Sequence, residues 1–391
     1  MSKPEAVNSI PSLHERCTGC GACVSVCPVG AISMVADAEG FKMPCVDDAV
    51  CIGCGRCTSV CQITHPAGVF SPCSVRGLRA LNAGDRAAGS SGGVFGLLAK
   101  TVLAEGGVVF GAAFDAGAKR VLHVSSDRTP IERIMRSKYV QSDAWVAYRE
   151  VRDELKSGRK VLFCGTPCQV SGLLKYLGGP RPNLLTVDFF CHGVPSPGFF
   201  AEYANLREKK RGSRIVDMSF REKARGWREQ HMRWYYDDGT VEEEPSLENC
   251  HYFFFLGNYS LRRSCYECDL YKRHEADVTL ADYWLIDAAD DDDLGTSLVL
   301  ANTLAGRSVV NEVAHLLSEV PVRNFDIEIY RHGYDVKKRA EFFSCWESAG
   351  IEVVCGPFFE REHSRDLRRK WVMGHGVSCL KGIAKRIIRR A

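Results

Sequence analysis

The chain has 391 residues, and its 51 basic and 48 acidic side chains leave a formal net charge of only +3. Hydrophobic residues make up 45% of it, which is enough for the cores of two or more domains and excludes a disordered or fibrous protein. The near balance of charge argues against a general attraction to nucleic acid or to an acidic membrane surface.

The 19 cysteines are too many and too odd in number for a simple disulfide framework. The first residues contain no apolar stretch of the kind that directs secretion. We therefore interpret the cysteines as metal ligands of a cytoplasmic protein. The longest apolar runs, such as Gly106 to Phe114, fall far short of the ~20 residues that span a bilayer. The sequence thus predicts a soluble protein, or at most one peripheral to a membrane.

The first predicted element is a doubled cysteine motif with the spacing C-x2-C-x2-C-x3-C. In two-cluster ferredoxins, three cysteines of such a run bind one 4Fe-4S cluster, and the fourth binds the neighbouring cluster. The spacing predicts one cluster on Cys17, Cys20, Cys23 and Cys61 and a second on Cys51, Cys54, Cys57 and Cys27. A zinc site or a disulfide framework is the alternative, but neither requires a three-cysteine run repeated with identical spacing.

This motif resembles the bacterial dicluster ferredoxins. Pro28 follows the first run as in that family, whereas Gln62 stands where the second run would have proline, a departure expected to affect a turn and not a ligand. The segment from His65 to Val75 mixes proline, glycine and serine, which is typical of a linker or docking loop. We therefore predict a dicluster ferredoxin domain over residues 1–74.

The next elements are read from hydrophobic periodicity. Behind Ser90-Ser91-Gly92-Gly93, apolar residues recur at helical spacing up to Val102, which predicts a capped amphipathic helix. Residues 106–114 and 121–125 are rich in β-branched side chains and predict two paired strands around a turn near Gly117. Residues 144–156 predict a helix that ends at Gly158.

Two strand-helix units follow. Lys160 to Gly165 is an apolar run that leads into a helix over Thr166 to Leu177, and Leu184 to Gly193 leads into a helix over Ser196 to Lys209. Successive units of this kind predict a partly parallel sheet whose ligands lie at the carboxyl ends of the strands. The fold class is therefore α/β, with α+β character.

The remaining chain is less regular. Residues 215–284 predict shorter strands, and Asp287 to Asp293 predicts a solvated acidic loop. The region after Glu312 is expected to be mainly helical and charged. At its end, residues 379–391 place apolar residues on one helical face and basic residues elsewhere. Such a helix could contact a membrane surface or an acidic partner, or pack on its own domain.

A second set of cysteines is scattered along the chain: Cys168, Cys191, Cys265 and Cys268. The first two come just after predicted strands, where parallel sheets place functional groups, and the last two form a CxxC pair. Their spacing is compatible with a third iron-sulfur cluster, with zinc, or with buried small side chains beside a single functional pair. Core or incidental thiols are expected at Cys45, Cys73, Cys164, Cys250, Cys345, Cys355 and Cys379.

A resemblance to a known family covers roughly residues 77–306. The segments that carry it, in order, are SSGGVF, KYVQS, GTPCQVSGL, FCHGVPSP, FREKARGW, YECDL, ADVTLADYW and GTSLVLANT. They are similar to the motif series of the coenzyme F420 hydrogenase/dehydrogenase β-subunit family. This resemblance implies a domain over residues 75–330 that binds FAD beside one 4Fe-4S cluster. It also implies that Cys168, Cys191, Cys265 and Cys268 hold that cluster, and it leaves residues 331–391 as a helical basic extension.

Seven residues are candidates for binding the flavin: Ser91, Gly92, Gly93, Lys138, Tyr139, Thr166 and His192. The first three lie at a helix N-terminus, where N-H groups and the helix dipole favour phosphate, although a serine-glycine start is also an ordinary cap. Lys138 and Tyr139 suit a phosphate and an isoalloxazine ring, or else a surface ion pair and a core aromatic. Thr166 and His192 suit hydrogen bonds to the flavin or a substrate, or purely structural roles. No residue is assigned as a proton donor.

The resemblance implies an iron-sulfur flavoprotein oxidoreductase that exchanges electrons between reduced coenzyme F420 and a ferredoxin-like partner or bound acceptor. Two alternatives stay open: a ferredoxin-driven reductase of an organic substrate, and a non-catalytic electron-transfer subunit. The sequence lacks the CxxxCxxC of radical SAM enzymes, a G-x-G-x-x-G after a predicted strand, and a phosphate-binding G-x4-G-K-[ST] loop. Those three classes are therefore disfavoured.

Overall fold

The computed structural model describes residues 15–66, 68, 71–323, 325 and 334–367. The N-terminal part is a small module whose elements are α1 (Ala22–Val26), β1 (Ile32–Ala36), β2 (Lys42–Val46) and α2 (Arg56–Ser59). Strands β1 and β2 form an antiparallel hairpin. Both helices begin after a glycine in the left-handed conformation, Gly21 and Gly55, each with φ 70°. The two copies of the cysteine motif therefore share the same backbone conformation at the start of their helices.

The strands of the rest of the chain form two sheets. In chain order they are β3 (Ser74–Ala80), β4 (Val108–Asp115), β5 (Arg120–Ser125), β6 (Ser142–Asp143), β7 (Val161–Cys164), β8 (Leu184–Phe189), β9 (Ile215–Glu222), β10 (His231–Tyr236), β11 (Val241–Pro245), β12 (Val278–Asp282), β13 (Ser297–Ala301) and β14 (Leu317–Val320). The larger sheet has the order β14-β3-β13-β12-β8-β7-β4-β5-β6 and the smaller has the order β11-β10-β9. The predicted strand pair around Gly117 is the antiparallel pair β4–β5.

The centre of the larger sheet is parallel and its flanks are mixed. Strands β12, β8, β7 and β4 pair in parallel, whereas β13, β3 and β14 pair with their neighbours in antiparallel fashion. The prediction of an α/β fold with a partly parallel sheet is confirmed. The carboxyl ends of β7 and β8 consequently meet at one edge, as expected for the two strand-helix units.

The helices after the N-terminal module are α3 (Ala83–Ala88), α4 (Val94–Ala104), α5 (Ile131–Ile134), α6 (Trp145–Lys156), α7 (Pro167–Leu177), α8 (Pro197–Arg211), α9 (Cys250–Leu256), α10 (Leu304–Glu312) and α11 (Val336–Val353). Helix α7 begins as its sequence predicts, with Thr166 at the N-cap, proline in the first turn and the Gln169 side chain accepting from the Thr166 N-H at 2.9 Å. Helix α8 begins at Ser196, whose hydroxyl accepts from the Phe199 N-H.

Helices cover both faces of the larger sheet. On one face, α4 packs Val94 and Leu98 into a cluster with Val109 and Leu162. The opposite face is covered by α6 and α7, whose apolar side chains cluster around Phe163. The smaller sheet packs with α8, α9 and α11 in a separate core, rich in aromatic rings. The α+β character predicted for residues 215–284 is present as this three-stranded sheet.

The expected cap of α4 is wrong in detail. Its N-cap is Gly93, with φ 83° and no side-chain cap. The serine hydroxyls that were expected to cap the helix bind other loops: Ser90 Oγ accepts from the Ser137 N-H at 2.8 Å, and Ser91 Oγ donates to the Thr296 carbonyl at 2.8 Å. The left-handed glycine turns the chain so that these hydroxyls point away from the helix.

Two further expectations need correction. The acidic loop is not simply solvated, because Asp292 binds Arg86 and Arg79, and Asp291 binds Arg228. The region after Glu312 is not purely helical, since β14 adds an edge strand to the larger sheet. The basic helix expected over residues 379–391 lies outside the described residues. Among the residues that are described, none of the helices combines the length and apolar character needed to cross a membrane.

Candidate functional site

A cavity of about 510 Å³ opens at the carboxyl edge of the parallel strands. Its wall includes the ends of β7 and β8, and α9 and the smaller sheet contribute side chains from the opposite direction. The volume is in the range of small-molecule and cofactor sites. Six of the seven predicted flavin-binding residues line it, namely Ser91, Gly93, Lys138, Tyr139, Thr166 and His192.

Gly92 is the predicted residue that is not on this wall. Its N-H donates to Ser297 Oγ at 2.9 Å, so it is already engaged. A Cβ at Gly92 would lie 2.3 Å from the Leu78 carbonyl oxygen, which explains why a glycine is needed where this loop crosses the sheet. The structure therefore gives Gly92 a packing role and does not support a direct contact with a cofactor.

Lys138 is buried in the wall of the cavity. Its Nζ donates to the carbonyl oxygens of Ile134, at 2.9 Å, of Met135 and of Arg136, at 3.2 Å. Burial lowers the pKa of Lys138 to about 7. The three carbonyl oxygens hold the ammonium in a closed turn, so the Lys138 side chain shapes this part of the cavity wall.

An aromatic wall faces the cavity next to Lys138. Tyr139 stacks on Phe255 with ring centroids 5.0 Å apart, and Tyr252 meets Tyr139 edge-on at 5.2 Å. His192 packs edge-on against Phe255 at 4.8 Å. Stacked rings of this kind offer a flat apolar surface to a planar ligand.

The second cysteine set converges beside the cavity. Burial, and then the neighbouring thiols of Cys265, Cys168 and Cys268, raises the pKa of Cys191 well above its ordinary value. Burial likewise raises the pKa values of Cys168 and Cys265 to about 11. Mutual influence of this kind requires the thiols to lie close together, and Cys191 itself lines the cavity. The structure thus brings together four cysteines from three separate stretches of the chain.

Two of these sulfurs each have a hydrogen-bond partner. Thr166 Oγ1 lies 3.0 Å from Cys168 Sγ, and the Gly193 N-H donates to Cys191 Sγ at 3.4 Å. The positive charge of Arg262 lowers the pKa of Cys168, against the larger effect of burial. Donors and a positive charge next to sulfur stabilise thiolates, the form that binds metal.

The ferredoxin cysteines fall into two groups that match the crossed spacing. Apart from burial, the pKa of Cys23 is raised by Cys20, Cys17 and Cys61. The other four, Cys27, Cys51, Cys54 and Cys57, line one small crevice. In the described part of the chain, no three Cys, His, Asp or Glu side chains are arranged to hold a single metal ion.

The first ferredoxin group lies next to the second cysteine set. Cys168 is among the thiols that raise the pKa of Cys20, after burial and Cys17. Gln62 Nε2 donates to Thr18 Oγ1 at 2.8 Å and to the Cys168 carbonyl at 3.0 Å. In the sequence Gln62 is only a variation in a turn, but in the structure its buried amide joins the two cysteine groups.

Several features of the site were missed in the sequence. Arg221, Asp282 and Trp284 line the cavity, and they belong to the segments FREKARGW and ADVTLADYW, which carry the family resemblance without indicating a role for these residues. Outside the site, Cys250 and Cys355 were expected as core or incidental thiols; both belong to the aromatic core, and their Sγ atoms lie 2.7 Å apart. A separation of 105 residues leaves no local signal for that pair.

Comparison with known proteins gives two family matches. Residues 158–320 match the family described as the C terminus of the beta subunit of coenzyme F420 hydrogenase/dehydrogenase, and residues 16–64 match the 4Fe-4S dicluster domain. Thirteen chains of solved structures also match. One is from a xenon-derivatised F420-reducing NiFe hydrogenase complex of Methanosarcina barkeri, with 16% identity, a TM-score of 0.44 and coverage of 73% of this chain and 91% of that chain. No curated protein sequence matches the chain significantly.

Proposed function

The chain combines a 4Fe-4S dicluster domain with the C-terminal domain of the coenzyme F420 hydrogenase/dehydrogenase beta-subunit family, and on this premise we propose that it is a FAD- and 4Fe-4S-dependent oxidoreductase. Its substrates are a hydride-carrying coenzyme, reduced deazaflavin F420, and a ferredoxin-like partner or bound acceptor. Electron transfer in either direction is compatible with this reaction.

The cavity at the strand ends is the observation that carries this proposal. Ser91, Lys138, Tyr139 and His192 all line it, and so does Cys191 of the second cysteine set. A bound flavin would supply both hydride exchange and single-electron exchange. The residues fit such a group: an aromatic wall accepts a planar ring, and the N-terminus of the 11-residue helix α4 suits a phosphate.

We propose that twelve cysteines hold three 4Fe-4S clusters. The ligand sets are Cys17, Cys20, Cys23 and Cys61; Cys51, Cys54, Cys57 and Cys27; and Cys168, Cys191, Cys265 and Cys268. In the third set, Thr166 and the Gly193 N-H would keep their hydrogen bonds to sulfur and stabilise the reduced cluster. Gln62 and Arg262 would hold the first set against the third.

Anaerobic reconstitution tests the cofactors. Three cubane clusters predict about twelve irons per chain, with one FAD. Replacing Cys265 or Cys268 with alanine should lower the iron content to about eight and leave the electron paramagnetic resonance signals of the ferredoxin clusters intact. The exposed Cys45 on β2 provides a matched control, because Cys45→Ala should change neither quantity. About eight irons in the unaltered protein would remove the third cluster from the proposal.

An anaerobic spectroscopic assay tests the reaction. Reduced deazaflavin should bleach the bound FAD, and the iron-sulfur absorbance should decrease afterwards. Reduction by ferredoxin alone would instead indicate a reductase of an organic substrate. A reconstituted protein without flavin would contradict both enzymatic functions and indicate an electron-transfer subunit.

A further inference from the structure

Arg221 is held rigidly in the wall of the cavity. It lies on β9 with 3% of its surface exposed, and its Nη1 donates to Asp282 Oδ2 at 2.6 Å. The other oxygen of Asp282 accepts from Trp227 Nε1 at 3.2 Å. Trp227 stacks on Trp284 with a centroid distance of 4.4 Å, and the guanidinium of Arg221 lies 5.5 Å from the Trp284 ring centroid. These contacts fix the plane of the guanidinium.

The opposite edge of this guanidinium meets no acceptor among the described residues. Both Nε and Nη2 of Arg221 are buried, and within this part of the chain neither has a hydrogen-bond partner. Burying donor groups of a cation without an acceptor is costly, and folded proteins seldom leave them so. Since Arg221 lines the cavity, the natural source of an acceptor is a bound ligand.

The other cations on the same wall are engaged. Arg136 donates to Glu222 Oε1 at 2.5 Å and to the Ala88 carbonyl at 3.2 Å, and Lys138 is surrounded by three carbonyl oxygens. Of the three cationic side chains that line the cavity within the described residues, Arg221 is the one that retains buried donors without a partner. Of these three cations, Arg221 is therefore the one whose donor groups are available to a ligand.

The shape and charge of this group indicate the ligand chemistry. The Nε-H and Nη2-H bonds form a fork that matches two acceptors lying side by side in one plane. The charge of Arg221 is already balanced by Asp282, whose carboxylate also lines the cavity and would repel a phosphate dianion. The rings of Tyr139, Tyr252 and Trp284 line the same cavity. A planar, neutral or singly charged heterocycle fits these conditions better than a phosphate.

We propose that Arg221 binds the pyrimidinedione edge of a flavin-type ring, at one ring nitrogen and the adjacent carbonyl oxygen. This inference rests on the proposed function, and it adds a specific partner for the ring. Both FAD and a deazaflavin carry this edge. A positive fork there favours the reduced ring, which has more negative charge on those two atoms.

Arg221→Lys and Arg221→Gln in the full, iron-loaded chain test the proposal. Lysine keeps the charge opposite Asp282 but loses the fork, and glutamine loses both. If the ring is that of FAD, binding of lumiflavin to the flavin-free, iron-loaded protein should weaken about 10- to 100-fold, and binding of ADP should not change. If the variant loses ten times more affinity for the reduced ring than for the oxidised ring, the two-electron reduction potential of bound FAD falls by about 30 mV. Arg225→Gln is the matched control, since the Arg225 side chain is 61% exposed.

A second arm separates the two sources of the ring. If the ring belongs to the deazaflavin, FAD content and potential stay unchanged, while 8-hydroxy-5-deazariboflavin binds the FAD-loaded variants about 10- to 100-fold more weakly. Loss of ADP binding, or no change for any probe, would overturn the inference. The Arg221 variants could lose iron because they do not fold, and Trp284→Leu is then the test variant. If lumiflavin and the deazaflavin bind Trp284→Leu as tightly as they bind wild type, the proposed site is overturned.

The outcomes also distinguish this inference from the proposed function. Flavin-loaded wild-type protein whose Arg221 variants behave normally contradicts only the inference. Wild-type protein that binds neither FAD nor the deazaflavin contradicts both.

Discussion

His251 and His123 are buried imidazoles, and each makes one hydrogen bond within the described residues. His251 Nε2 lies 2.8 Å from the Tyr139 carbonyl, and His123 Nε2 lies 2.9 Å from the Cys164 carbonyl. A carbonyl oxygen can only accept a hydrogen bond, so Nε2 must carry the hydrogen and Nε2-H is the tautomer that this geometry requires. Burial lowers the pKa of each histidine to about 4. Both side chains therefore remain neutral in the folded protein at physiological pH.

This burial predicts a loss of stability in mild acid. A histidine in the unfolded chain has a pKa of about 6.5. Below that pH the unfolded chain binds protons at these two positions, whereas the folded chain does not. The stabilising contribution is complete above about pH 6.5 and is lost progressively as the pH falls towards 4. Between pH 7.5 and 5.5 each histidine should account for about 1 kcal/mol of lost stability.

Thermal unfolding of the cluster-loaded protein at these two pH values measures the effect. His251→Gln keeps a donor near the Tyr139 carbonyl and should reduce the drop in melting temperature between pH 7.5 and 5.5. His315 is exposed, so His315→Gln should leave that drop unchanged. The same pH dependence in His251→Gln and in wild type would contradict a neutral buried imidazole.

At the scale of elements, Arg262 joins the N-terminal ferredoxin module to the part of the chain that contains the larger sheet. It precedes a short helical turn, Arg263–Glu267, and is 2% exposed. Its Nε donates to the Cys17 carbonyl at 2.7 Å, and its Nη2 donates to the Lys42 carbonyl at 3.0 Å. Nη1 donates to Gln141 Oε1 at 3.0 Å, so one guanidinium links the cysteine loop, the hairpin and the segment before β6.

Removal of this side chain should loosen the ferredoxin module. Arg262→Ala leaves three acceptors without their donor, and the expected cost is about 3 kcal/mol or more. The neighbouring Arg263 has a side chain that is 34% exposed and a distant ion pair with Glu267, so Arg263→Ala should cost well under 1 kcal/mol. Limited proteolysis of the cluster-loaded proteins should release the ferredoxin module faster from Arg262→Ala. Equal rates for the two variants would show that the contact is not what joins the domains.

At the scale of the whole molecule, features encoded by local sequence patterns could be predicted, whereas contacts between distant residues could not. The units β7–α7 and β8–α8 were predicted because their apolar strands and Thr-Pro or Ser-Pro helix starts act within a few residues. The ferredoxin cysteines were likewise predicted from local spacing, and the dicluster domain that this spacing indicates matches over residues 16–64. Gln62 and Arg221 could not be identified in this way, because their partners Cys168 and Asp282 lie 106 and 61 residues away. A buried contact of that kind depends on the packing of several elements, which periodicity does not encode.

The acidic loop from Asp287 to Asp293 shows the same dependence on distant partners. In the sequence it is a run of like charges, for which solvation is the simplest expectation. In the structure, four arginines of the described residues form ion pairs with it. They are Arg79 from β3, Arg86 from α3, Arg228 from the segment between β9 and β10, and Arg323, which follows β14. The loop consequently joins the larger sheet to the segment that leads from β9 to β10.

Asp292 is the residue on which this connection depends most. Its two oxygens accept from Arg86 Nη2 at 2.5 Å and Nη1 at 2.7 Å, and the Arg86 side chain is only 9% exposed. The hydrogen bond from Arg86 holds the pKa of Asp292 below its usual value, so this stabilisation is present at neutral pH and is lost as the pH falls below about 4. Because the Asp292 side chain is 40% exposed, water screens part of the attraction.

Asp292→Asn should therefore destabilise the protein by about 1–2 kcal/mol, mainly because Arg86 stays buried without its counter-charge. Asp287→Asn is the matched control in the same loop. Its partner Arg323 has a side chain that is 53% exposed and also binds Asp290, so this change should cost less than about 0.5 kcal/mol. Melting temperatures at pH 7 and at pH 3.5 distinguish the two variants. Because the stabilisation by the Asp292 carboxylate is partly lost in wild type at pH 3.5, the difference in stability between wild type and Asp292→Asn should be smaller at pH 3.5 than at pH 7. A difference between wild type and Asp292→Asn that is equally large at both pH values would mean that the carboxylate charge is not the source of the stabilisation.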